Sequence, residues 1–393
     1  MTPPGLPVVL PGATIGIVGG GQLGRMLALD ARRLGYGVVV LDPSPQAPAA
    51  QVADEQITAP FESAEGLAAL AARADVITFE VEHTSLECAR AVEALRPVRP
   101  SPAALAACQH RLREKTFLRD HGFPVAPWRE AGSPAALEAA ARETGLPCLA
   151  KIPFTGYDGR GQARISTLDN LPAAAALGFD RGPLVVERYI PFAAELAVIV
   201  ARGLRGERRT YPVVRTVHDE GILVEVSAPA LIAPAVAERA RGLAESIATA
   251  LDVIGVLAVE MFLLEQGEIL INELAPRPHN SGHYTINACP TSQFEQHLRA
   301  ICGLPLGATD LLQPAAMVNL LGDRRGPARL VGVEEALREP GVSLHLYGKV
   351  ESWPRRKLGH VTALGDEPEQ ALARARRAAA ALRWEPVASS VRS

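Results

Sequence analysis

Apolar and polar positions alternate in two different ways along this chain. Before about residue 97, short apolar runs alternate with segments whose apolar residues recur at helical spacing. The pattern predicts a strand entering a glycine-rich turn and a helix within 13–24, further strands at 36–41 and 75–80, and helices at 24–34, 63–73 and 85–95. Because strands that alternate with helices form parallel βαβ units, we expect an α/β domain here. Pro97, Pro100 and Pro102 mark its end.

Strands dominate the middle of the chain. The pattern predicts helices at 103–121, 134–144 and 234–251, a short strand ending at Lys151, and strands at 184–190, 195–201, 209–216 and 223–226. This mixture, rich in antiparallel strands, indicates a separate α+β domain. After about residue 310 we expect strands at 316–321 and 343–347 and a last helix at 368–383.

One predicted hairpin carries an unusual pair of carboxylates. Apolar runs at 256–264 and 269–274 flank a turn that contains Gly267. A turn centred between Gln266 and Gly267 places Glu260 directly opposite Glu273. Like charges opposed across a strand pair are destabilising, and their desolvation adds to the cost. A divalent cation would compensate both effects, since Mg²⁺ typically takes one or two carboxylates plus substrate phosphates. The alternative is a pair of edge-strand glutamates that face water.

The N-terminal turn has the spacing GxGxxG at Gly19, Gly21 and Gly24, and Asp42 ends the next predicted strand. In a dinucleotide-binding protein such glycines bring a pyrophosphate to a helix N-terminus, and the acid binds a ribose. The same turn also binds other phosphates, or simply packs a strand against its helix. The pattern leaves these three interpretations open.

A second glycine-rich loop, at 155–162, follows Lys151 closely. Loop amides and a nearby ammonium group together neutralise phosphate charge, so this segment is a candidate phosphate loop. A hairpin turn with solvated charges would have a similar sequence. The basic residues at 347–349 and 355–360 are, in the same way, either a phosphate anchor or a solvated turn.

Two prolines stiffen the segment that follows Glu273, and Arg277, His279 and Asn280 lie in or just after it. A stiff loop with these side chains beside a metal site indicates an anion-binding or transition-state-stabilising element. An ordinary surface histidine is the alternative. The spacing of His279 and His283 offers no further ligand for a zinc site.

Composition narrows the class of protein. At 393 residues, with 48% hydrophobic and 21% charged residues, we expect a soluble protein of two or three domains. A net charge of −3 gives no electrostatic reason for a nucleic-acid or membrane partner. We expect neither a signal peptide nor a membrane span. The five scattered cysteines form no CxxC pair, which is typical of a reducing cytoplasm. Only four of the 40 basic residues are lysines (Lys115, Lys151, Lys349 and Lys357).

Several strings together resemble the ATP-grasp superfamily and, within it, the 5-(carboxyamino)imidazole ribonucleotide synthases of purine biosynthesis. They are GGGQLGRM (19–26), FEVEH (79–83), GYDGRGQ (156–162), HDEGIL (218–223), INELAPRPHNSGH (271–283), YGK (347–349) and RRKLGH (355–360). The resemblance covers nearly the whole chain. It implies an ATP-grasp fold with a Rossmann-like N-terminal domain at 1–104, an ATP-grasp domain at 105–308 with its lid at 122–192, and a small C-terminal domain at 309–393.

The resemblance also implies roles by position. ATP would be bound by Arg111, Lys151, a loop at Gly156, Tyr157, Asp158, Gly159, Arg160, Gly161 and Gln162, a main-chain hinge at Glu187, Arg188, Tyr189 and Ile190, and by Glu195, His218, Asn272 and Glu273. Mg²⁺ or Mn²⁺ would lie on Glu260 and Glu273, and bicarbonate would lie on Arg277, His279 and Asn280. Aminoimidazole ribonucleotide would be surrounded by Gln22, Leu23, Glu82, His83, Tyr157, Asp158, Lys349 and Arg356. In this family the N-terminal glycine turn serves the ribonucleotide.

The implied activity is ATP- and bicarbonate-dependent carboxylation of the ribonucleotide amine through carboxyphosphate, by a cytoplasmic homodimer. Asp158 is the candidate acceptor for the amine proton. The chain departs from the family at Ile152–Thr155, where the loop entry is less polar, and at Trp353–Arg355, where a more Pro/Gly-based spacer is common. The alternatives are a formate-using glycinamide ribonucleotide transformylase, a nicotinamide-linked oxidoreductase built on the GxGxxG turn, and a non-catalytic nucleotide-binding protein.

Overall fold

The N-terminal part of the chain forms a parallel sheet covered by helices. The computed structural model describes residues 8–82, 84–154 and 161–385. The elements are β1 (Thr14–Val18), α1 (Gln22–Arg33), β2 (Gly37–Asp42), β3 (Glu55–Thr58), α2 (Ala64–Arg73), β4 (Val76–Phe79) and α3 (Leu86–Glu93). The strand order is β3-β2-β1-β4, with every pair parallel. β1, β2 and β4 are almost wholly buried, as expected for strands with helices on both faces. The predicted α/β architecture is therefore confirmed.

The prediction of a single helix at 103–121 is wrong. The chain forms α4 (Pro102–Cys108) and α5 (Arg111–Asp120), and His110 between them has extended backbone angles. Gln109 donates hydrogen bonds from its side chain to the carbonyls of Glu82 and Thr84, and the amide of Arg111 donates to the carbonyl of Pro153. These long-range contacts compensate the break, which local helical periodicity does not reveal.

A small antiparallel sheet follows within the predicted lid region. The elements of this region are β5 (Trp128–Ala131), α6 (Pro134–Thr144), β6 (Cys148–Lys151), β7 (Gln162–Ile165), α7 (Leu171–Ala175) and β8 (Leu184–Arg188). The four strands form one sheet in the order β5-β8-β6-β7. Ser133 caps α6 by accepting a hydrogen bond from the amide of Ala136, and Pro134 occupies the first helical position. β6 pairs with both β7 and β8, so Lys151 at its end lies at the centre of this sheet.

The large sheet begins with antiparallel strands from the middle of the chain. Its elements are β9 (Ala194–Arg202), β10 (Arg208–Thr210), β11 (Val214–Asp219), β12 (Ile222–Ala228), α8 (Pro234–Ala250), β13 (Gly255–Leu263), β14 (Ile269–Ala275), α9 (Thr285–Ala288) and α10 (Gln293–Cys302). The one strand predicted at 209–216 is wrong, because β10 and β11 are separated at Tyr211. Tyr211 is buried and donates its hydroxyl to the carbonyl of Thr291, and Pro212 has no amide for a strand ladder.

The C-terminal strands extend this same sheet. They are β15 (Ala315–Leu321), β16 (Gly326–Pro327), β17 (Leu330–Val331), α11 (Val333–Leu337), β18 (Val342–Leu346), β19 (Glu351–Ser352), β20 (Lys357–Leu364), α12 (Pro368–Ala381) and β21 (Arg383–Trp384). The order is β14-β13-β9-β11-β12-β15-β20-β18, with β10 paired to β9. Pairing of β12 with β15 therefore joins the tail to the sheet that carries the glutamate pair, with β9, β11 and β12 between β15 and β13. No helix of the described residues is both long and apolar enough to cross a bilayer.

Candidate active site

The predicted pairing of the two glutamates is confirmed, although the predicted turn is not. Glu260 on β13 lies opposite Glu273 on β14. Beyond Glu260, however, Leu263 pairs with Ile269, so the turn is centred on Gln266 and not between Gln266 and Gly267. A β-bulge at Asn272, the unpaired residue of β14, shifts the register by one and restores the opposed carboxylates. Bulges of this kind re-aim side chains next to active sites.

The surroundings of Glu260 do not fit a water-facing glutamate. β13 is an interior strand between β9 and β14, and the Glu260 side chain is only 18% exposed. Burial, reinforced by the Glu273 charge, raises the pKa of Glu260 to about 7 even though the nearby His218 opposes the shift. Its carboxylate lies 4.0 Å from Nε2 of His218 and 3.6 Å from Nε2 of His279.

The two carboxylates fit a hard cation that phosphate oxygens would complete. Glu273 is 43% exposed and its Oε2 lies 3.3 Å from the Arg111 guanidinium, so the pair opens toward a cationic surface. In the part of the chain that the structure describes, no group of three or more histidine, cysteine, aspartate or glutamate side chains is arranged to hold a metal. The donor set therefore suits an ion with two carboxylate ligands rather than an all-protein cage.

Basic side chains converge on a buried carboxylate beside this pair. Lys151 donates a 2.9 Å hydrogen bond to Oε2 of Glu187, and Lys115 lies 3.5 Å from its Oε1. Burial alone would raise the pKa of Glu187, but Lys115 and Lys151, with Arg111, outweigh it and lower that pKa to about 2. Burial lowers the pKa of Lys151 itself against the attraction of Glu187. The predicted ATP-phosphate contacts Arg111 and Lys151 thus lie in one buried charge cluster.

Lys115, which sequence reasoning left unexplained, belongs to the same buried charge cluster. It is 1% exposed, and its Nζ donates a 2.9 Å hydrogen bond to the carbonyl of Asn272, the bulge residue. Its spacing from Arg111 on α5 is i, i+4, which places both on one helix face and could have indicated a shared role. The neighbouring Glu114 is also buried, accepts a hydrogen bond from the amide of Leu274, and has a pKa raised by burial to about 8.

The predicted ribose ligand and its neighbour are in direct contact. Glu195 accepts a 2.8 Å hydrogen bond from Nδ1 of His218 when that ring is protonated there. Burial would lower the pKa of His218, but Glu195 and Glu260 outweigh it and raise that pKa. In the predicted hinge, the amides of Arg188 and Tyr189 donate to the carbonyls of Pro127 and Pro147. The amides of Arg188 and Tyr189 are therefore already paired within the protein.

The loop after Glu273 brings the predicted anion ligands together. Arg277 forms a 2.5 Å ion pair with Glu82, which belongs to the predicted ribonucleotide set. Nδ1 of His279 accepts from the amide of Ser281, so its proton is on Nε2, the atom nearest Glu260. Burial and the Arg277 charge lower the pKa of His279 well below its usual value. A neutral N–H donor thus lies beside a guanidinium, as an oxyanion-binding site requires.

The N-terminal glycine turn binds the protein's own carboxylates. The amides of Gly21 and Gly24 donate to the two oxygens of Glu80, and the amide of Gly20 donates to Asp42. A Cβ on Gly21 would lie 2.3 Å from Glu80 Oε1. These contacts engage the amides of Gly20, Gly21 and Gly24 within the protein itself, which favours the packing interpretation of this turn. The sequence pattern did not predict that the side chains of Glu80 and Asp42 accept hydrogen bonds from this turn.

The residues predicted to surround the ribonucleotide lie on two parts of the structure. Gln22 begins α1, and the Leu23 side chain is buried in the core, so only the Leu23 main chain could reach a ligand. Lys349 donates to the carbonyl of Lys357, and Gln51 of the N-terminal domain donates to the carbonyl of Gly348, which brings the tail loop against α1's domain.

The two departures from the family both touch predicted site residues. The guanidinium of Arg356 lies 3.6 Å from the ring centre of Trp353, a cation–π contact that fixes its plane. At the loop entry, the amide of Ile152 donates to the carbonyl of Gly161. Seven predicted site or loop residues lie outside the described residues: His83, Thr155, Gly156, Tyr157, Asp158, Gly159 and Arg160.

Sequence and structure comparisons identify the class of protein. The chain matches the ribonucleotide synthetase preATP-grasp domain over residues 12–109, the ATP-grasp domain over 116–294, and the phosphoribosylaminoimidazole carboxylase C-terminal domain over 315–374. The fold and the site are those of an ATP-grasp enzyme, an ADP-forming ATP-dependent carbon–nitrogen ligase.

More specifically, the chain belongs to the family of N5-carboxyaminoimidazole ribonucleotide synthases. It is 45% identical over 355 residues to the synthase of Brucella melitensis, covering 90% of this chain and 97% of that protein, and 43% identical over 363 residues to that of Bacillus subtilis, covering 92% and 94%. A crystal structure of an N5-carboxyaminoimidazole ribonucleotide synthetase in complex with ADP superposes with a TM-score of 0.90 at 42% identity, covering 96% of this chain and 98% of that one. A synthase from Aspergillus clavatus, solved with ADP and 5-aminoimidazole ribonucleotide, gives 0.86 at 37% identity, covering 94% and 98%.

Proposed function

We propose that the protein carboxylates the amine of 5-aminoimidazole ribonucleotide, using ATP and bicarbonate, in de novo purine (IMP) biosynthesis. The observation that carries this proposal is the position of the opposed pair Glu260 and Glu273. Glu273 lies 3.3 Å from Arg111 of the basic cluster, and Glu260 lies 3.6 Å from His279 of the anion loop. A nucleotide phosphate and a small anion can thus meet at one carboxylate pair.

On the nucleotide side, Lys151 and Arg111 bind the ATP phosphates. Both side chains are largely buried, at 10% and 16% exposure, so their interaction with phosphate is weakly screened by water. Glu187 holds Lys151 in place in the absence of nucleotide. Glu195 and His218 bind the ribose side, and the hinge at 187–190 receives the adenine. The loop at 156–162 closes over the phosphates.

The metal in this proposal is Mg²⁺, or Mn²⁺, held by Glu260 and Glu273. Burial raises the pKa of Glu260, and the charge of Glu273 adds to that shift, so a bound cation would stabilise the ionised pair. When bound, the ion would supply positive charge that neutralises the phosphates during transfer. The two carboxylates would hold the ion close to Arg111, which contacts Glu273. Lys115 holds the bulge at Asn272 that aligns the two carboxylates.

On the anion side, Arg277, His279 and Asn280 hold bicarbonate. A bicarbonate oxygen attacks the γ-phosphorus of ATP in line, which forms carboxyphosphate and releases ADP. The amine of the ribonucleotide then attacks the carboxyl carbon, either of carboxyphosphate or of CO₂ released from it within the closed site. Phosphate leaves, and the amine proton passes to Asp158, our candidate acceptor. Glu82, His83, Tyr157, Lys349 and Arg356, with Gln22 and the main chain of Leu23, hold the ribonucleotide.

The decisive assay measures ADP release with aminoimidazole ribonucleotide present and with bicarbonate or formate as the second substrate. We expect release that depends on bicarbonate and a carboxylated ribonucleotide product. Formate-dependent release with glycinamide ribonucleotide would instead support the transformylase alternative. Asp158→Asn should lower turnover strongly while ATP binding persists, and wild-type turnover in that variant would remove Asp158 from its role.

We also propose a cytoplasmic homodimer that acts on small molecules only, without a nucleic-acid or membrane partner. This proposal rests on the family resemblance and on the absence of a strongly basic composition. The proposed domain boundaries remain 1–104, 105–308 and 309–393. Sedimentation analysis of the purified protein tests the dimer, since a monomer at all concentrations would contradict it.

A further inference from the structure

A row of polar side chains joins the anion loop to the C-terminal strands. The segment after His279 has helical backbone, first as a short 3₁₀ turn at Asn280–Gly282 and then, through His283, as α9. Residues at i, i+3 and i+7 of such a segment share one face. Across from them, three residues occupy one register level on β15, β20 and β18. The facing residues pair as Asn280 with Asn319, His283 with His360, and Asn287 with His345.

The first of these pairs is a reciprocal amide contact. Asn319 donates from Nδ2 to Oδ1 of Asn280 at 2.6 Å, and Asn280 donates from Nδ2 to Oδ1 of Asn319 at 3.2 Å. Both residues are 7% exposed. A buried amide that makes both halves of such a contact is held in one orientation, because rotation by 180° would oppose like groups.

The carbonyl of Leu223 decides which orientation that is. Nδ2 of Asn319 also donates to this carbonyl, at 2.7 Å. A carbonyl only accepts, so the nitrogen of Asn319 must face Leu223, and its oxygen must face Asn280 and the hydroxyl of Tyr347, 3.5 Å away. The strand neighbour β12 therefore sets the amide of Asn319, and Asn319 in turn sets the amide of Asn280.

This orientation matters for the chemistry of the loop. With its oxygen turned toward Asn319, Asn280 uses one amide hydrogen in the pair and has one more N–H to give. Rotated by 180°, the same side chain would present a carbonyl oxygen in that direction. Anions bind to N–H donors and are repelled by carbonyl oxygens. A residue of the C-terminal strands thus decides whether Asn280 can attract an anion.

His345, His360 and Gln293 also contact the helical segment that begins at Asn280. Asn287 accepts a 2.8 Å hydrogen bond from Nε2 of His345 when that nitrogen carries the proton. Gln293 donates to Nδ1 of His283 and to the carbonyl of His279, and accepts from the His279 amide. The imidazole rings of His283 and His360 lie 5.0 Å apart. The anion loop is therefore held by hydrogen bonds at Asn280 and Asn287 and by a ring contact at His283 between them.

We propose that Asn319 is a positioning residue for the carboxylation: it holds the amide of Asn280 with its N–H toward the bicarbonate site. This inference rests on the proposed function, in which Asn280 binds bicarbonate. Asn319 itself touches no substrate. It gives the C-terminal strands a defined contribution to the reaction, in addition to the ribonucleotide contacts proposed for Lys349 and Arg356.

The test uses the nearly isosteric variant Asn319→Asp. A carboxylate cannot donate to Leu223 or to Asn280, so nothing holds the Asn280 amide in one orientation, and its oxygen can turn toward the anion. We expect the KM for bicarbonate to rise at least tenfold, while the KM values for ATP and the ribonucleotide stay within twofold. The matched control is Asn287→Asp, which makes the same change at the other end of the row and should leave the KM for bicarbonate unchanged.

A double variant separates positioning from general damage. In the Asn280→Ala background, Asn319→Asp should cause no further rise in the KM for bicarbonate, because Asn319 acts through Asn280. Additive effects, or an unchanged KM in Asn319→Asp, would overturn the inference. If Asn319→Asp fails to fold, Asn319→Ala replaces it with a smaller expected rise, and an unchanged KM there overturns the inference equally. Failure of the proposed function is distinguishable, since the wild-type protein would then show no bicarbonate-dependent ADP release.

Discussion

Lys115 donates a 2.9 Å hydrogen bond to the carbonyl of Asn272, the residue that forms the bulge in the glutamate hairpin. The same ammonium lies 3.5 Å from Glu187 on β8. One buried charge on α5 therefore links the strand that aligns Glu273 to the sheet that carries Lys151. Movement of either sheet would stretch a contact of Lys115, so this residue couples the position of the metal ligands to that of the phosphate ligands.

Replacement of Lys115 by methionine should weaken both ATP binding and folding. Methionine keeps the apolar stem but leaves the Asn272 carbonyl without its charged donor and leaves Glu187 with one lysine fewer. We expect a loss of about 3 kcal/mol in the free energy of unfolding, as for one partner removed from a buried ion pair. The KM for ATP should rise at least tenfold. Urea denaturation and steady-state kinetics measure the two effects.

A double variant provides the control for Lys115. Adding Glu187→Gln to Lys115→Met removes the carboxylate left undercompensated, so part of the lost stability should return while ATP binding stays weak. A double variant less stable than the sum of the single changes would contradict this interpretation of the cluster.

Glu273→Gln should lower turnover by roughly 100-fold, equivalent to about 2.7 kcal/mol of transition-state stabilisation. The amide cannot supply the second negative charge that the proposed Mg²⁺ site needs, so the Mg²⁺ concentration for half-maximal rate should also rise. Glu268→Gln, an exposed change at the turn of the same hairpin, is the control and should behave as the wild type. Excess EDTA should abolish ADP release in all three proteins. Near-normal turnover in Glu273→Gln would remove it from the metal site.

The sequence pattern predicted the elements of this fold well wherever local periodicity sets them. The N-terminal strands and helices and the antiparallel pairing of Glu260 with Glu273 are present as expected. The pairing was predicted from a turn centred half a residue away from the observed one. The bulge that corrects it is contacted by Lys115, a residue distant in sequence, and no feature of the hairpin itself indicates the bulge.

The supporting residues that the sequence analysis did not identify were missed for the same reason. Glu80 caps the glycine turn from a strand that follows it by more than fifty positions, and Asn319 reaches Asn280 from a strand of the tail. In each case a polar side chain satisfies a distant backbone or amide group, as buried polar groups require. Sequence spacing shows where such groups need partners but does not show which residue supplies them. Motifs therefore indicated the candidate site residues, while the residues that support them became visible only in three dimensions.

Arg277→Lys should separate anion binding from nucleotide binding. Lysine keeps the positive charge but loses the planar fork that can hold Glu82 and an anion at once. We expect the KM for bicarbonate to rise roughly tenfold or more, with the KM for ATP within twofold of the wild-type value. Arg299→Lys, which alters an ion pair with Glu295 on α10, is the matched control. An unchanged bicarbonate KM in Arg277→Lys would exclude the guanidinium geometry from anion binding.

His297 should make the folded state sensitive to mild acid. Its ring is buried between the N-terminal sheet and the large sheet, where Nδ1 accepts from the amide of Val256 and Nε2 contacts the hydroxyl of Thr78 at 2.7 Å. Burial lowers the pKa of His297 to about 3, whereas an unfolded chain protonates this ring near pH 6.5. Between these values the unfolded state binds the extra proton. Stability from this group is therefore complete above about pH 6.5 and is lost, at up to about 1.4 kcal/mol per pH unit, as the pH falls toward 3.

The measurement is a series of urea denaturations between pH 7.5 and pH 5 on the wild type and on His297→Gln. Glutamine does not titrate, and its amide can accept from Val256 or donate toward Thr78, so the variant should be less stable at pH 7.5 but show a shallower decline with acid. The difference in the free energy of unfolding between the two proteins should narrow as the pH falls. Only the wild type has a ring at this position that takes up a proton on unfolding. Parallel pH profiles would show that protonation of another group controls the acid sensitivity.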